Sequence, residues 1–192
     1  MPNHTTNLLS IVAENNLRKH LKPYLSKNKA DGSFLDFNKI LPMPKQIEQT
    51  LKYGDMKFLS KKRTLEQEKR MREKQEKQEK ECLELYGAKS WYYWSIQNWG
   101  TKWNSYSNRF FKIKKKQCLF FNTAWSPAEP VIRELSRLLN QTLRLAYLDE
   151  GYAFMGVQHF FPDGRVDDEY YDDVKLLPSD LKDELGITEQ DE

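Results

Sequence analysis

The stretch that decides the fold is FNTAWSPAEPVIRELSRLLNQTLRLAYLDEGYAFMGVQHFF, residues 121–161. Its first residues complete an apolar run over residues 117–123, which predicts a strand. A helix follows, because Ser126 is a good N-cap, Pro127 suits the first helical position and Glu129 completes a capping box. Four residues at helical spacing give this helix an apolar stripe: Val131, Leu135, Leu138 and Leu139.

The remainder of the stretch predicts a β-hairpin. Residues 141–149 and 152–161 are rich in strand formers and flank the turn pair Glu150-Gly151. A second turn at Asp163-Gly164 leads into a short strand over residues 165–168. Near the end of the chain, a small helix is expected over residues 179–185.

The chain before this stretch alternates strands and helices. The pattern predicts a strand over residues 7–13, a helix over 14–26, an extended segment over 34–41, a short helix over 45–56, and two strands at 110–113 and 117–123 across a lysine turn. Strands that pair with one another, with helices on one face, make an antiparallel-rich α+β fold. The split βαβ arrangement fits this order best.

Residues 61–81 differ in kind from the rest of the chain. They contain nine Lys or Arg and six Glu with almost no apolar residues, and many opposite charges lie three or four positions apart. This pattern predicts a solvent-exposed helix inserted into the fold. The alternative is a contact with nucleic acid or a partner protein, which the interleaved glutamates disfavour.

Charge is distributed unevenly along the chain. The net charge is +3, but residues 163–192 hold 12 acidic and 3 basic residues, a net charge of −9, so the first 162 residues carry +12. A basic body attracts anions such as nucleic acid or nucleotides, and an acidic tail can fold back and compete for the same surface. The alternative is that both are solvated faces that maintain solubility.

The sequence offers no metal or redox site. Cys82 and Cys118 are far apart and form no CxxC, so two free thiols in a reducing compartment are expected. The three histidines and two cysteines lack the spacing of zinc ligands. No cofactor is indicated. Without a signal-peptide pattern or an apolar stretch of roughly 18 residues, we expect the protein in the host cell cytoplasm and not in a membrane.

Five segments together resemble one known family, the Api-like proteins of phages and enterobacterial plasmids. The segments are MPNH with the following Thr6-Asn7, DFNKILPMP at 36–44, WSIQNWGTKWN at 94–104, FNTAWSP at 121–127, and DEG at 149–151. The resemblance implies a ferredoxin-like domain and an origin in a mobile element, and it implies no established activity. We therefore expect the two halves of a ferredoxin-like domain at 1–56 and 87–171, a charged helical insertion at 57–86, and an acidic tail at 172–192.

The polar and aromatic residues of these segments form the candidate ligand-binding site. They are Asn98, Trp99, Thr101, Lys102, Trp103, Asn104, Thr123, Trp125 and Ser126. Indole faces stack on bases, Lys102 can meet a phosphate, and backbone N–H groups at a helix start can hold an anion. The alternative is a tryptophan-rich core in which the Asn and Thr side chains satisfy backbone groups.

Catalysis has weaker support. Asp36, Asp149 and Glu150 would have to form paired carboxylates, yet nothing in the sequence brings them together. The glycine-rich, P-loop, zincin and serine-hydrolase motifs are all absent. No catalytic residue is therefore assigned, although the pattern does not decide whether the protein is an enzyme.

The leading functional hypothesis is a non-enzymatic phage accessory protein that counteracts host defence. Its partner would be a nucleotide-like signal that it sequesters or a host defence protein that it inhibits. The first alternative is a single-stranded nucleic-acid-binding module, because ferredoxin-like sheets can present aromatics to single strands. The second is an enzyme that processes a nucleotide. Oligomeric state stays open.

Overall fold

The computed structural model describes residues 3–28, 32–50 and 64–188. The chain folds as two compact units, one formed by residues 1–41 with 99–192 and the other by residues 42–98. The second unit includes more of the sequence than the insertion expected at 57–86. The first seven residues of that insertion lie outside the described part of the chain.

The first unit is built around a six-stranded sheet. Its strands are β1 (His4–Ile11), β4 (Tyr106–Ile113), β5 (Lys116–Ala124), β6 (Leu143–Asp149), β7 (Met155–Phe160) and β8 (Val166–Tyr171). They lie in the order β4-β5-β1-β6-β7-β8, and every neighbouring pair is antiparallel. The prediction of an antiparallel α+β fold is confirmed. The two predicted strand pairs, β4 with β5 and β6 with β7, are confirmed as well.

The central strand β1 places buried side chains on both faces of the sheet. On the first face, Leu9 lies opposite Leu119 and Leu145, and all three are fully buried. Helix α5 (Glu129–Leu139) packs against strands β6 and β7. On the second face, Leu8 lies opposite Ala146, because successive side chains of a strand alternate between faces.

The acidic C-terminal residues also pack on the sheet. Helix α6 (Ser179–Leu185) forms where a small helix is predicted. Val174, Leu177, Leu181 and Ile187 are buried in one cluster with Leu8, Ala146, Met155 and Val157. The second face is therefore covered in part by the C-terminal segment, which the expectation of helices on one face did not include.

The N-terminal elements differ in detail from the prediction. The helix expected at 14–26 is short: α1 (Leu17–Leu21) is followed by a 3-10 turn, and β2 (Leu25–Asn28) then pairs with β3 (Gly32–Leu35). The extended segment expected at 34–41 ends at Leu35. Asp36 caps a 3-10 turn instead, since its Oδ1 accepts a bond of 3.1 Å from the N–H of Asn38.

The start of α5 corrects the predicted capping box. The helix begins at Glu129, two residues beyond Pro127, and Ala128 occupies the N-cap position without a side-chain bond. The Ser126 hydroxyl does not cap the helix because it donates to the carbonyl of Gly100 over 2.5 Å. Pro130 takes the early helical position that suits a proline.

The second unit contains three helices among its described residues: α2 (Lys45–Glu48), α3 (Leu65–Tyr86) and α4 (Trp91–Trp99), the last of which ends in the first unit. Residues 51–56 of the helix predicted at 45–56 lie outside the described residues. The charged helix α3 begins with a capping box between Thr64 and Gln67 and ends at Gly87 with φ 69°. Most of its side chains are exposed, as predicted.

Candidate functional site

The site is organised by the turn that follows α4. Gly100 has φ +75°, a backbone conformation that residues with a Cβ rarely adopt. A Cβ at this position would lie 2.8 Å from Pro130 Cδ and 3.3 Å from the carbonyl oxygen of Pro127. Glycine therefore lets this turn approach the beginning of α5 closely. Gly100 also follows the last residue of α4, as the sequence predicts.

Two of the predicted ligand-binding residues are structural. Trp99 is only 4% exposed, and its indole N–H donates to the carbonyl of Leu41 over 2.9 Å while its ring meets the edge of Phe37. Thr101 is 1% exposed, and its hydroxyl donates to the carbonyl of Ala124 over 2.8 Å and accepts from the N–H of Ala124 over 3.0 Å. These bonds fasten the turn to the end of β5.

Three more of the predicted residues form hydrogen bonds within the fold: Asn104, Thr123 and Ser126. The Asn104 amide accepts from the N–H of Phe37 over 2.9 Å and donates to Asp36 over 2.8 Å. The buried Thr123 hydroxyl donates to the carbonyl of Ser126 over 2.7 Å. For these side chains, the structure matches the alternative in which Asn and Thr satisfy backbone groups.

Asn98 belongs to the other compact unit. Its amide donates to the carbonyl of Trp94 over 2.9 Å, one turn earlier in α4. This bond is local to the helix.

Lys102, Trp103 and Trp125 face solvent together. The Lys102 ammonium lies 4.9 Å from the centre of the Trp103 ring and 5.0 Å from that of Trp125. Each indole is 38% exposed. These three of the nine predicted residues lie together at the surface, whereas the other six make the contacts described above.

Trp125 has an unusual backbone conformation. The residue has φ +74°, which is unusual for a bulky side chain, and its N–H donates to the carbonyl of Asn3 over 3.0 Å. Such a conformation persists only where the surrounding structure enforces it.

Three further residues continue this surface. The Tyr106 ring lies edge-on to Trp103, with 6.4 Å between centres, and to His4, with 5.5 Å. His4 Nδ1 is 2.5 Å from the Tyr106 hydroxyl, and His4 Nε2 is 4.0 Å from a carboxylate oxygen of Glu150. We call the six residues the strand-end surface: His4, Lys102, Trp103, Tyr106, Trp125 and Glu150.

The Tyr106 hydroxyl is not poised to act as a base. It donates to the carbonyl of Thr123 over 3.0 Å, so the His4 ring nitrogen is left to donate to the tyrosine oxygen. Burial, with a smaller contribution from the charge of Glu150, raises the pKa of Tyr106 to about 12. The hydroxyl therefore stays protonated and orients the imidazole.

Two of the carboxylates considered for catalysis accept hydrogen bonds that stabilise turns. Asp149 is 2% exposed, and its Oδ2 accepts from the N–H groups of Gly151 over 3.0 Å and Ala153 over 3.3 Å. Asp36 accepts from the Ser26 hydroxyl over 2.6 Å in addition to its bonds with Asn38 and Asn104. Among the residues that the structure describes, no group of three metal-ligating side chains occurs.

His4, Tyr106 and Glu150 were absent from the predicted site. Tyr106 lies 102 positions from His4 in the sequence, so no local pattern links them. Two of the Api-like segments did contain His4 and Glu150, and the structure places His4 between the Tyr106 hydroxyl and the Glu150 carboxylate. The five segments were therefore a better indicator of this surface than residue chemistry alone.

One comparison with known proteins agrees with the α+β fold described above. Residues 98–186 match the family model of the ferredoxin-like domain in Api92-like protein. This part of the chain is therefore similar to the ferredoxin-like domain of Api92-like proteins. This confirms the resemblance to Api-like proteins. The match begins at Asn98 and includes Lys102, Trp103, Tyr106, Trp125 and Glu150.

A solved structure, that of the protein Api92 from Yersinia pseudotuberculosis, is similar with a TM-score of 0.38 and 18% identity. That match covers 45% of this chain and 32% of the Yersinia chain, so this chain corresponds to about a third of its length. No curated protein matches the chain. Within the described ranges, no helix is both long and apolar enough to span a bilayer.

Proposed function

We propose that this protein is a non-enzymatic binding protein that takes a nucleotide-like anion on the strand-end surface. The supporting observation is the position of the Lys102 ammonium, within 5.0 Å of the exposed indoles of Trp103 and Trp125. A flat aromatic ligand with an attached phosphate matches such a group, because indole faces stack on bases and an ammonium binds phosphate.

The expected strength of this contact follows from its parts. Stacking of one base on an aromatic side chain contributes about 1–3 kcal/mol. A charge contact at an exposed position adds less than about 1 kcal/mol and weakens with salt. A ligand with two bases can use both indoles, so a dinucleotide should bind more tightly than a mononucleotide.

The chemistry of the surface favours binding over turnover. Asp149 and Asp36 are committed to turns, and the Tyr106 hydroxyl is held protonated. Glu150 is the exposed carboxylate of the surface, and it lies 4.0 Å from His4. A nucleotide-processing enzyme would require Glu150 to act as a base, so neutralising Glu150 distinguishes the two functions.

A binder of nucleotide-like anions would serve a mobile element by removing a host immune signal in the cytoplasm. This setting rests on the resemblance to Api-like proteins of phages and plasmids. Inhibition of a host defence protein is the other form of the proposal, and the same indoles would then serve as anchors at a protein interface.

The test is isothermal titration calorimetry of the purified chain with cyclic di-AMP, AMP, adenosine and ribose 5-phosphate. We expect cyclic di-AMP to bind more tightly than AMP, and adenosine and ribose 5-phosphate to bind more weakly than AMP. Trp125→Ala should weaken cyclic di-AMP binding about 30-fold, because about 2 kcal/mol of stacking is lost. Tyr170→Ala is the matched control, since Tyr170 is an exposed aromatic residue on β8.

Two outcomes would oppose the proposal. If Trp125→Ala and Tyr170→Ala weaken binding equally, the ligand does not stack on the strand-end surface. If the wild-type chain hydrolyses the dinucleotide and Glu150→Gln abolishes that turnover, the protein is an enzyme. Binding of none of the four compounds would leave the partner-protein form as the one to pursue and would remove the nucleotide form.

A further inference from the structure

The second face of the sheet offers a separate surface for anions. We propose that this face binds single-stranded nucleic acid and that the acidic C-terminal segment, residues 172–188, is an internal competitor that covers it. This proposal goes beyond the nucleotide site, because its cations lie toward the turn between β4 and β5, away from the His4 end of β1, and because its ligand class is different. Three features support it: cations and aromatic rings on the sheet, an ion pair between the sheet and the C-terminal helix, and a cavity between the sheet and that helix.

Cations and aromatic rings share the β4–β5 end of this face. Arg109 lies opposite Phe120 in the antiparallel ladder, and its guanidinium carbon is 5.5 Å from the centre of the Phe120 ring. Phe111 lies opposite Cys118 on the same face, and Phe111 and Phe120 are only partly buried against the C-terminal cluster. Aromatic rings with adjacent cations on a sheet are the means by which such sheets hold single strands.

Glu184 occupies the position that a phosphate would take. Arg144 extends from β6 on the second face, and its two guanidinium nitrogens donate to the two carboxylate oxygens of Glu184 over 2.6 and 2.7 Å. The side chains are 22% and 17% exposed. The guanidinium fork fits carboxylate and phosphate with the same geometry, so the helix presents a phosphate-like group to this arginine.

A cavity separates the acidic helix from the basic edge of the sheet. Its volume is about 430 Å³. On the sheet side it is lined by Lys114, Lys116 and Arg144, and on the α6 side by Asp180, Asp183 and Glu184. Opposite charges therefore face each other across a space large enough for part of a polynucleotide chain.

The C-terminal segment that covers this face is suited to displacement. Helix α6 has seven residues, and an isolated helix of that length is not stable in water. Its docking depends on Leu181 and on the flanking Leu177 and Ile187, all of which face one cluster. A polyanion that occupies Arg144, Lys114 and Lys116 would remove the electrostatic part of this docking at once.

The test uses the full chain and fluorescein-labelled oligothymidylate and oligouridylate of about 20 nucleotides, a length that spans more than one typical site. Binding is followed by fluorescence anisotropy at about 0.05 M and about 0.2 M salt. Glu184→Gln keeps the shape of the side chain and removes the competing charge, so we expect affinity to rise about fivefold. Glu134→Gln is the control, because Glu134 pairs with Arg137 on α5 and the charge change is identical.

Hydrogen exchange supplies the second readout. Addition of the oligonucleotide should speed amide exchange in residues 174–187, and Arg144→Gln should weaken binding and reduce the salt slope by about 0.7. The proposal is overturned if Glu184→Gln and Glu134→Gln have equal effects, if exchange in residues 174–187 is unchanged or slower, or if neither oligonucleotide binds any of the variants. The nucleotide site is tested separately, because Trp125→Ala should leave oligonucleotide binding at this face unchanged.

Discussion

Replacement of Trp99 should destabilise the protein, whereas replacement of Trp125 should not. Trp99 is 4% exposed, packs on Phe37 and donates to the carbonyl of Leu41. Loss of a buried tryptophan to alanine costs about 3–5 kcal/mol. Since small proteins have only about 5–15 kcal/mol of stability, Trp99→Ala should remove a large part of it. Trp125→Ala should change stability by less than about 1 kcal/mol, because its ring is partly exposed.

The assay is thermal unfolding followed by circular dichroism. For a chain of this size, about 4 kcal/mol corresponds to a fall in Tm of roughly 10 °C. If Trp99→Ala does not accumulate as folded protein, Trp99→Phe gives a measurable value. That variant leaves the carbonyl of Leu41 without the indole donor, at a cost of about 1–3 kcal/mol. A Tm for Trp99→Phe equal to that of the wild type, or a fall for Trp125→Ala as large as that for Trp99→Ala, would refute the division into a buried and a surface tryptophan.

Two further predictions concern Gly100 and His159. Gly100→Ala should lower the free energy of unfolding, measured with urea, by about 1–3 kcal/mol more than Gly164→Ala. Both glycines have positive φ, but only at Gly100 would a Cβ clash with Pro130. Equal losses in the two variants would show that the close approach to Pro130 is unimportant. Burial and then the charge of Arg144 lower the pKa of His159, so the unfolded chain binds a proton first as the pH falls below about 6.5. Wild-type Tm should therefore fall more than that of His159→Gln between about pH 7.5 and about pH 5.5, and parallel profiles would contradict this.

The elements of the sheet were predictable because each has a local signal. The hairpin of β6 and β7 has strand formers on both sides of Glu150-Gly151, and the turn at Lys114-Lys115 separates two apolar runs. The start of α5 was not predictable in detail. Ser126 is a good N-cap in isolation, but the fold uses its hydroxyl to bind Gly100, a residue 26 positions away. Tertiary contacts of this kind override local capping preferences.

The candidate site was predictable in composition and not in role. Trp99, Trp103 and Trp125 have similar polar neighbours in the sequence, but Trp99 alone of the three is buried, where it contacts Leu41 and Phe37. Thr101 was expected to offer a hydroxyl to a ligand, yet that hydroxyl bonds Ala124 in both directions. Such pairings between distant residues cannot be read from spacing, whereas the exposed cation–aromatic group could be anticipated from Lys102 and its neighbours.

Native mass spectrometry of the chain purified from defence-active cells tests the central claim most directly. The wild type and the control Tyr170→Ala should carry the same added mass of a nucleotide-sized anion, and the mass should be absent from Trp125→Ala and reduced in Lys102→Met. These variants change exposed or partly exposed side chains, so their folded charge-state distributions should match the wild type. A wild-type chain with no added mass, or a mass that persists in Trp125→Ala, would contradict the assignment of the strand-end surface as a nucleotide-binding site.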